Sequence, residues 1–472
     1  MSQRFDYDVI VIGSGLAGHC SAVSALEQGA RVVMIEAAPK PGGSSQLSSG
    51  MVMGAGTRLQ RARGVQDDAE SLYQEYMWLN QWTVQPSVAR RLCYEAGPTI
   101  DWLADIGVEF TDLYTSGTEK AARGHETRGG AAIIEALAGQ IARHATFDSV
   151  VNSRVDRVIL RDGAVRGVAI GDDEVTAPSV VIACGGLGAS LEMLNHWNPE
   201  SFWGAGGPIG YYGHGFARGD AIKLGLQVDA QIVRGEGIRN MACVFLTSYL
   251  PSFALVVNQL GRRFHDETVS YAIATNLLPR QPGGVAYLLF DDAVKRSLKS
   301  HTDIQKYIRL ILVGNEGIQL WRSDAIDDLV ARHQVLKADT LEDLARRLGV
   351  PVANLKGTVA RYNRLVENGI DTDYFKDLAG VPPLAQPPFY SAKLTQPGYG
   401  LTGTGLRIDE HAQVIHENSE PIPGLYAAGE ATGNVLGSIY FGSGNSLASC
   451  AVFGRIAGHA AATRARALSG RK

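Results

Sequence analysis

The sequence predicts an α/β chain in two parts. One is a nucleotide-binding domain assembled from separated segments; the other is an α+β domain inserted between them. Three observations predict this. Residues 6–36 read as strand, Gly-rich turn, helix and strand. From about residue 200 to about 380 the texture changes to loops, short strands and aromatic residues. Residues 396–472 then return to strand, turn and helix. The expected domains are 1–200 together with 385–472, and 201–384 as the insertion.

The elements follow in order. Tyr7-Asp-Val-Ile-Val-Ile12 is a near-continuous apolar run, the pattern of a parallel strand covered on both faces. Gly15 to Gly29 has helical spacing and ends on a Gly stop, and Arg31-Val-Val-Met-Ile35 is the second strand. Segment 68–106 reads as helical, with Trp and Tyr on an apolar face, and 131–145 as another helix. Residues 149–170 alternate strand and turn around the hairpin signal Asp162-Gly163. Val180-Val-Ile-Ala-Cys-Gly-Gly186 is a strand running into a Gly turn. The insertion closes with two helices, about 341–348 and 352–368. The Pro-rich stretch Val381 to Pro388 leads back. A last helix starts near Gly444 and runs to the mid-460s.

Composition narrows the function. The chain has 472 residues, 45% hydrophobic and 19% charged, which suits a globular protein of two domains. A net charge of -4 gives no electrostatic reason to expect nucleic acid or an anionic membrane as partner. No run reaches the ~18 apolar residues of a membrane span. No basic leader precedes the first strand, so a cytoplasmic location is expected. Cys20, Cys93, Cys184, Cys243 and Cys450 show no CxxC, haem or zinc spacing and read as structural thiols. No metal is expected.

The cofactor motifs are more specific. Gly13-Ser-Gly15-Leu-Ala-Gly18 is GxGxxG between a strand and a helix, and Glu36 ends the second strand. Gly13 makes the tight turn, Gly15 admits a pyrophosphate to the backbone, and Gly18 lets helix and strand pack closely. The helix N-terminus, including Ala17, offers N–H donors and a positive dipole end to phosphates. Glu36 can accept from ribose hydroxyls. Two further stretches turn a dinucleotide into FAD. Gly42-Gly43-Ser44-Ser45-Gln-Leu-Ser-Ser-Gly50 follows the ribose-binding acid, and Gly424-Leu-Tyr-Ala-Ala-Gly429-Glu430 lies near the end of the chain. Ala183 and Gly185 belong to the turn after the Val180 strand. Glu430 is expected on the ribityl chain. Ser446 and Leu447 open the last helix, whose positive end stabilises a reduced, anionic flavin.

On these motifs the chain resembles the flavoprotein family of fumarate reductase, succinate dehydrogenase and 3-ketosteroid dehydrogenases. The resemblance covers nearly the whole chain. It also includes Gly215-Phe-Ala-Arg-Gly-Asp220, Val256-Val-Asn-Gln-Leu-Gly-Arg-Arg-Phe264 and Thr358-Val-Ala-Arg-Tyr-Asn363. It implies a discontinuous Rossmann-like FAD-binding domain, an inserted capping domain, and substrate held between them over the flavin. Succinate dehydrogenase attaches flavin to a His in the Gly42–Gly50 region. This stretch has none, so non-covalent FAD is expected.

The subfamilies part at the substrate. Fumarate-reductase-like enzymes use an Arg in the capping domain as proton donor, and a second Arg and a His to hold carboxylates. The matching positions here are Tyr271, in Glu267-Thr-Val-Ser-Tyr271, then Tyr440 and Leu401. A phenol can polarise a ketone, but it cannot pair with a carboxylate. The replacements resemble 3-ketosteroid dehydrogenases, whose Tyr-x-Gly-x-Gly motif matches Tyr440-Phe-Gly-Ser-Gly444. There the tyrosine O–H and the second glycine's N–H bind the ketone oxygen. A tyrosine matching Tyr271 removes the α-proton, and Tyr114 is the assisting residue by a loose register. Two oxyanion donors contribute about 3–4 kcal/mol each. Tyr271 as base needs its pKa brought below the reference of about 10.

The resulting expectation is an FAD-dependent α,β-desaturase. Its substrate would be a cyclic ketone, either a 3-ketosteroid or a smaller compound such as 4-oxocyclohexanecarboxylate. Oxygen, a quinone or another protein would be the electron acceptor. The alternatives are an enoate reductase of the same fold and a flavin-binding electron-transfer protein. Arg123 and Arg128, beside the Gly129-Gly130 turn, are the cations that could hold a substrate carboxylate.

Overall fold

A computed structural model describes residues 5–115, 119–199, 210–242, 244–245, 250–308, 316–442 and 444–469. Its first sheet has six strands in the order Gln413–Ile415, Pro421–Ala427, Val180–Ile182, Val9–Ile12, Val32–Ile35 and Phe147–Val150. All neighbours are parallel except Gln413–Ile415. Val9 to Ile12 are all buried, because helices cover both faces of a parallel sheet.

Two helices set the geometry around this sheet. Leu16–Glu27 and Asn445–Ser469 pack so closely that a Cβ on Gly454 would lie 2.5 Å from the Ala17 carbonyl oxygen. One on Gly458 would lie 2.1 Å from that of Ser21. The Ser21 hydroxyl donates to the Gly454 carbonyl across the contact at 3.0 Å. The N-terminal residues of both helices line one cavity.

The second sheet is ordered Gly210–Tyr211, Phe389–Leu401, Ala286–Asp291, Leu255–Asn258. Ile238–Ala242 and Leu336–Ala338 also pair with Phe389–Leu401. Alternation puts Val256 into a core with Phe253, Phe290 and Trp321. Leu255 and Val257 face the opposite core, with Leu355, Val359 and Tyr362. The sequence reading assigned everything from residue 385 to the cofactor-binding part. The structure corrects this for Phe389–Leu401, which lies inside the second sheet because Tyr390, Ala392 and Leu394 complete that sheet's core.

The helical stretch 68–106 also differs from expectation. It is two helices, Ala69–Leu79 and Pro86–Asp105. Gln81 and Trp82 between them both adopt left-handed backbone, with φ of 50° and 57°. Trp78 and Trp82 are 73% and 65% exposed, while Leu72, Tyr76 and Met77 form the buried side. Asn80 explains the break: its side chain is fully buried and is taken up by the chain around Gly437. Among the described residues no helix is long and apolar enough to cross a membrane, and no group of His, Cys, Asp or Glu could hold a metal ion. Cys20 and Cys93 are buried; Cys243 lies outside the described residues.

Candidate active site

A cavity of about 400 Å³ takes its lining from every predicted cofactor segment. Gly13, with φ of 96°, is required by packing: its Cβ would lie 2.5 Å from the Ala183 carbonyl oxygen. Gly18 is required too, since its Cβ would meet the Gly13 carbonyl oxygen at 2.0 Å. Gly15 differs. The nearest atom to its added Cβ is Ser45 Oγ at 3.6 Å, so packing alone does not demand glycine. A Cβ there would fill cavity beside the first helical amides, where a phosphate needs room. This cradle fits a dinucleotide.

The acids fit as well. The Glu36 carboxylate accepts from the Ser14 N–H (2.9 Å), the Ser14 hydroxyl (2.6 Å) and the Ala38 N–H (2.7 Å). Those bonds hold it at the edge of the cavity, where ribose hydroxyls can reach it. The Glu430 carboxylate accepts from Thr402 N–H at 2.6 Å and Thr402 Oγ1 at 2.8 Å. Burial pushes its carboxyl up, against the pull of those donors. Ser45 Oγ accepts from Leu16 N–H at 3.1 Å, and Ser44 Oγ from His214 N–H at 2.9 Å. Gly43, Ala17, Gly185, Ser446 and Leu447 line the same cavity.

Sequence reasoning missed part of this lining, notably Arg154, Asp220, His214 and Phe216. A signal existed for Arg154: it follows Phe147–Val150, and ligands gather beyond the carboxyl ends of parallel strands. The Arg154 guanidinium pairs with Asp220. It is the only Lys or Arg among the described lining residues.

The same cavity brings together Tyr271, Tyr440, Gly400, Leu401 and Gly444. Tyr271 is the first residue of the helix Tyr271–Leu277, capped by Ser270, so the cap fixes where the phenol leaves the backbone. The Tyr271 and Tyr440 rings meet edge-on with centroids 6.5 Å apart. The Ser446 N–H donates to the Tyr440 hydroxyl oxygen at 3.1 Å, and Gly444 N–H points there as well. The sequence reading gave the Gly444 N–H to a ketone oxygen; here it meets the phenol oxygen. Gly444 has φ of 97°, and its Cβ would lie 2.7 Å from Met53 N, so only glycine fits this turn. Desolvation pushes the Tyr440 phenol up to about 12, opposed by the two N–H donors. Its proton therefore remains available to an acceptor in the cavity.

Tyr114 is not among the lining residues. It pairs with Gly124 in a small sheet, and its hydroxyl bonds Glu126. Arg123 is fully buried with Asp67 and Glu75 at 2.8 and 2.9 Å. Arg128 pairs with Glu109. Neither arginine lines the cavity.

The FAD binding domain family matches residues 8–447. NADH:fumarate oxidoreductase of Klebsiella pneumoniae is 31% identical over 98% of this chain and 48% of its own, so the chain spans about half of that relative. Fumarate reductase (cytochrome) of Shewanella frigidimarina is 31% identical over 96% of this chain and 77% of its own. Among solved structures, 3-ketosteroid-Δ4-(5α)-dehydrogenase from Rhodococcus jostii superposes with a TM-score of 0.78 at 24% identity, over 98% of both chains. The fold is thus shared with both subfamilies, and the chain belongs to the FAD binding domain family as an FAD-dependent oxidoreductase.

Proposed function

We propose that the protein desaturates a cyclic ketone beside its carbonyl, giving the α,β-unsaturated ketone. The supporting observation is the pair of phenols, centroids 6.5 Å apart, at one end of a cavity whose only described Lys or Arg is already paired with Asp220. Among the described lining residues a dicarboxylate would find no unpaired Lys or Arg. A ketone oxygen needs only a donor, and Tyr440 is one. Two N–H groups at a helix N-terminus bond its oxygen and partly offset the desolvation that raises its pKa. As the α-proton leaves to Tyr271, which must act as its phenolate, negative charge grows on the ketone oxygen and the Tyr440 bond strengthens. FAD, when bound, supplies the two-electron oxidant for the β-hydrogen. Gly400 and Leu401 form apolar wall, which suits a ring. The substrate is a 3-ketosteroid or a smaller cyclohexanone-type ketone, and the electron acceptor is oxygen, a quinone or a protein.

Enoate reduction is the second reading, favoured by the 31% identity to proteins named for fumarate. Anaerobic bleaching of the bound flavin separates the two. The purified protein is mixed in turn with a 3-ketosteroid, 4-oxocyclohexanecarboxylate, cyclohexanone and succinate. Bleaching by a ketone, with an enone product two mass units lighter, is expected. Bleaching by succinate alone overturns the ketone reading.

A further inference from the structure

Tyr440 is carried by a loop, and that loop is gripped at one peptide unit. The unit joins Ser438 to Ile439, one peptide ahead of the Ile439–Tyr440 bond. Its carbonyl accepts from Asn276 Nδ2 at 2.7 Å. Its N–H donates to Asn80 Oδ1 at 3.2 Å. Both ends of a single peptide are thus held by two asparagine carboxamides, each presenting the group the peptide needs.

We propose that Asn80 and Asn276 are positioning residues that set the orientation of Tyr440 relative to Tyr271, which rests on the reading of these phenols as the ketone site. A peptide held at both its carbonyl and its N–H cannot rotate about its flanking bonds. The chain is therefore held one residue ahead of Tyr440, which limits where the phenol can go. Asn276 adds the second half of the geometry, because it lies on the same seven-residue helix as Tyr271. One hydrogen bond links the helix bearing one phenol to the loop bearing the other.

The surroundings are built for this grip. Asn80 is fully buried, and its Nδ2 donates to the Tyr76 carbonyl at 3.2 Å, which fixes which way the carboxamide points. Gly437 lies directly under it: a Cβ there would come within 1.9 Å of Asn80 Oδ1, at a φ of 76°. The left-handed Gln81 and Trp82 follow at once, a strained reversal kept in place by its contacts. The Tyr76 hydroxyl donates to the Val435 carbonyl at 2.7 Å, and its ring stacks on Phe441 at 5.6 Å. The loop is anchored on either side of the gripped peptide.

Two readouts test this on the FAD-bound protein. The first needs no substrate: amide hydrogen exchange at Ile439. Asn80→Ala should speed it by more than it speeds exchange at Val9–Ile12 of the first sheet, so that the local effect exceeds any loss of global stability, with flavin still bound. Unchanged exchange would overturn the grip. The second is turnover with whichever compound of the bleaching panel reduces the wild-type flavin. Asn276→Ala should lower kcat about tenfold to a hundredfold with a smaller change in KM, as misplacement of a reacting group does. Asn276→Asp has asparagine's size but sets a carboxylate against the Ser438 carbonyl. It should be worse than Asn276→Ala. A merely space-filling role predicts the opposite order, and that order would overturn the proposal. If succinate alone bleaches the wild type, the ketone reading falls and the exchange result still stands.

Discussion

In the proposed reaction Tyr440 can act as an acid only while it keeps its proton. Desolvation pushes its phenol up to about 12, so the donating form persists at neutral pH and is lost only as pH rises through that value. Tyr440→Phe should therefore lower the rate of flavin bleaching about 10²–10³-fold, the usual loss for one oxyanion donor, with FAD still bound. The pH profile should fall in height between about pH 6 and 10 without changing shape, because a group with this pKa does not titrate there. A profile that changes shape would assign the titration to Tyr440 after all. Tyr271→Phe should stop exchange of the ketone's α-protons with solvent, read by mass; exchange at the wild-type rate would reassign the base. These two phenols were legible because they fall inside recognisable runs. Asn80 and Asn276 were not. Their partners lie 359 and 162 residues away, and a side chain bonding a distant backbone leaves no local pattern. Tyr114 illustrates the converse: a loose register suggested it, and pairing with Gly124 directs it elsewhere.

Elements were legible where their ends are written locally. Leu341–Leu348 begins after the Thr340 cap, whose side chain accepts from Asp343 N–H, and ends at left-handed Gly349. Val352–Asn368 ends at left-handed Gly369. Both match the reading from sequence. The break between Ala69–Leu79 and Pro86–Asp105 was missed although Pro86 suits a helix start, because what reverses the chain is the burial of Asn80 against a distant loop. The contact between Leu16–Glu27 and Asn445–Ser469 has the same character. Gly454 and Gly458 are unremarkable in sequence, yet their missing side chains let the two helices approach and bring both N-termini to the cavity. Gly458→Val should force the helices apart, since any Cβ would lie 2.1 Å from the Ser21 carbonyl oxygen. Overpacking of this kind costs about 1–3 kcal/mol. Thermal release of flavin, followed by its fluorescence, should occur several degrees lower. Release at the wild-type temperature would mean that the helices absorb the change.

At the scale of the whole molecule, a buried ion cluster holds the second sheet and its helices to the segment that leads into Tyr271. Lys376 Nζ lies 2.8 Å from a Glu267 oxygen and donates to the Ala254 carbonyl at 2.8 Å. Arg263 meets both Glu267 oxygens at 2.9 Å and Asp371 at 2.7 Å. In the sequence Arg263 stands in the run Val256–Phe264 with no sign of a buried partner. The long return from Asp371 to Lys376 is what buries it, and nothing near residue 263 announces that return. Burial alone would raise the Glu267 carboxyl; the Lys376 and Arg263 charges outweigh it and hold it down to about 2. A depressed carboxyl stabilises the fold fully above its unfolded value of about 4.3, and that contribution fades as pH falls towards 2. Lys376→Met leaves Glu267 buried with one cation fewer and should cost about 3–5 kcal/mol at neutral pH, measured by denaturant unfolding. The sign of the linkage then fixes how that gap varies. In the variant the Glu267 carboxyl is held down less firmly, so it takes up its proton at higher pH than in the wild type. As pH falls below about 4.3 the wild type loses the benefit that the variant already lacks, and the two stabilities should converge. A gap that stays constant from pH 7 to 3 would show that Lys376 stabilises through its carbonyl bond and packing rather than through the charge of Glu267.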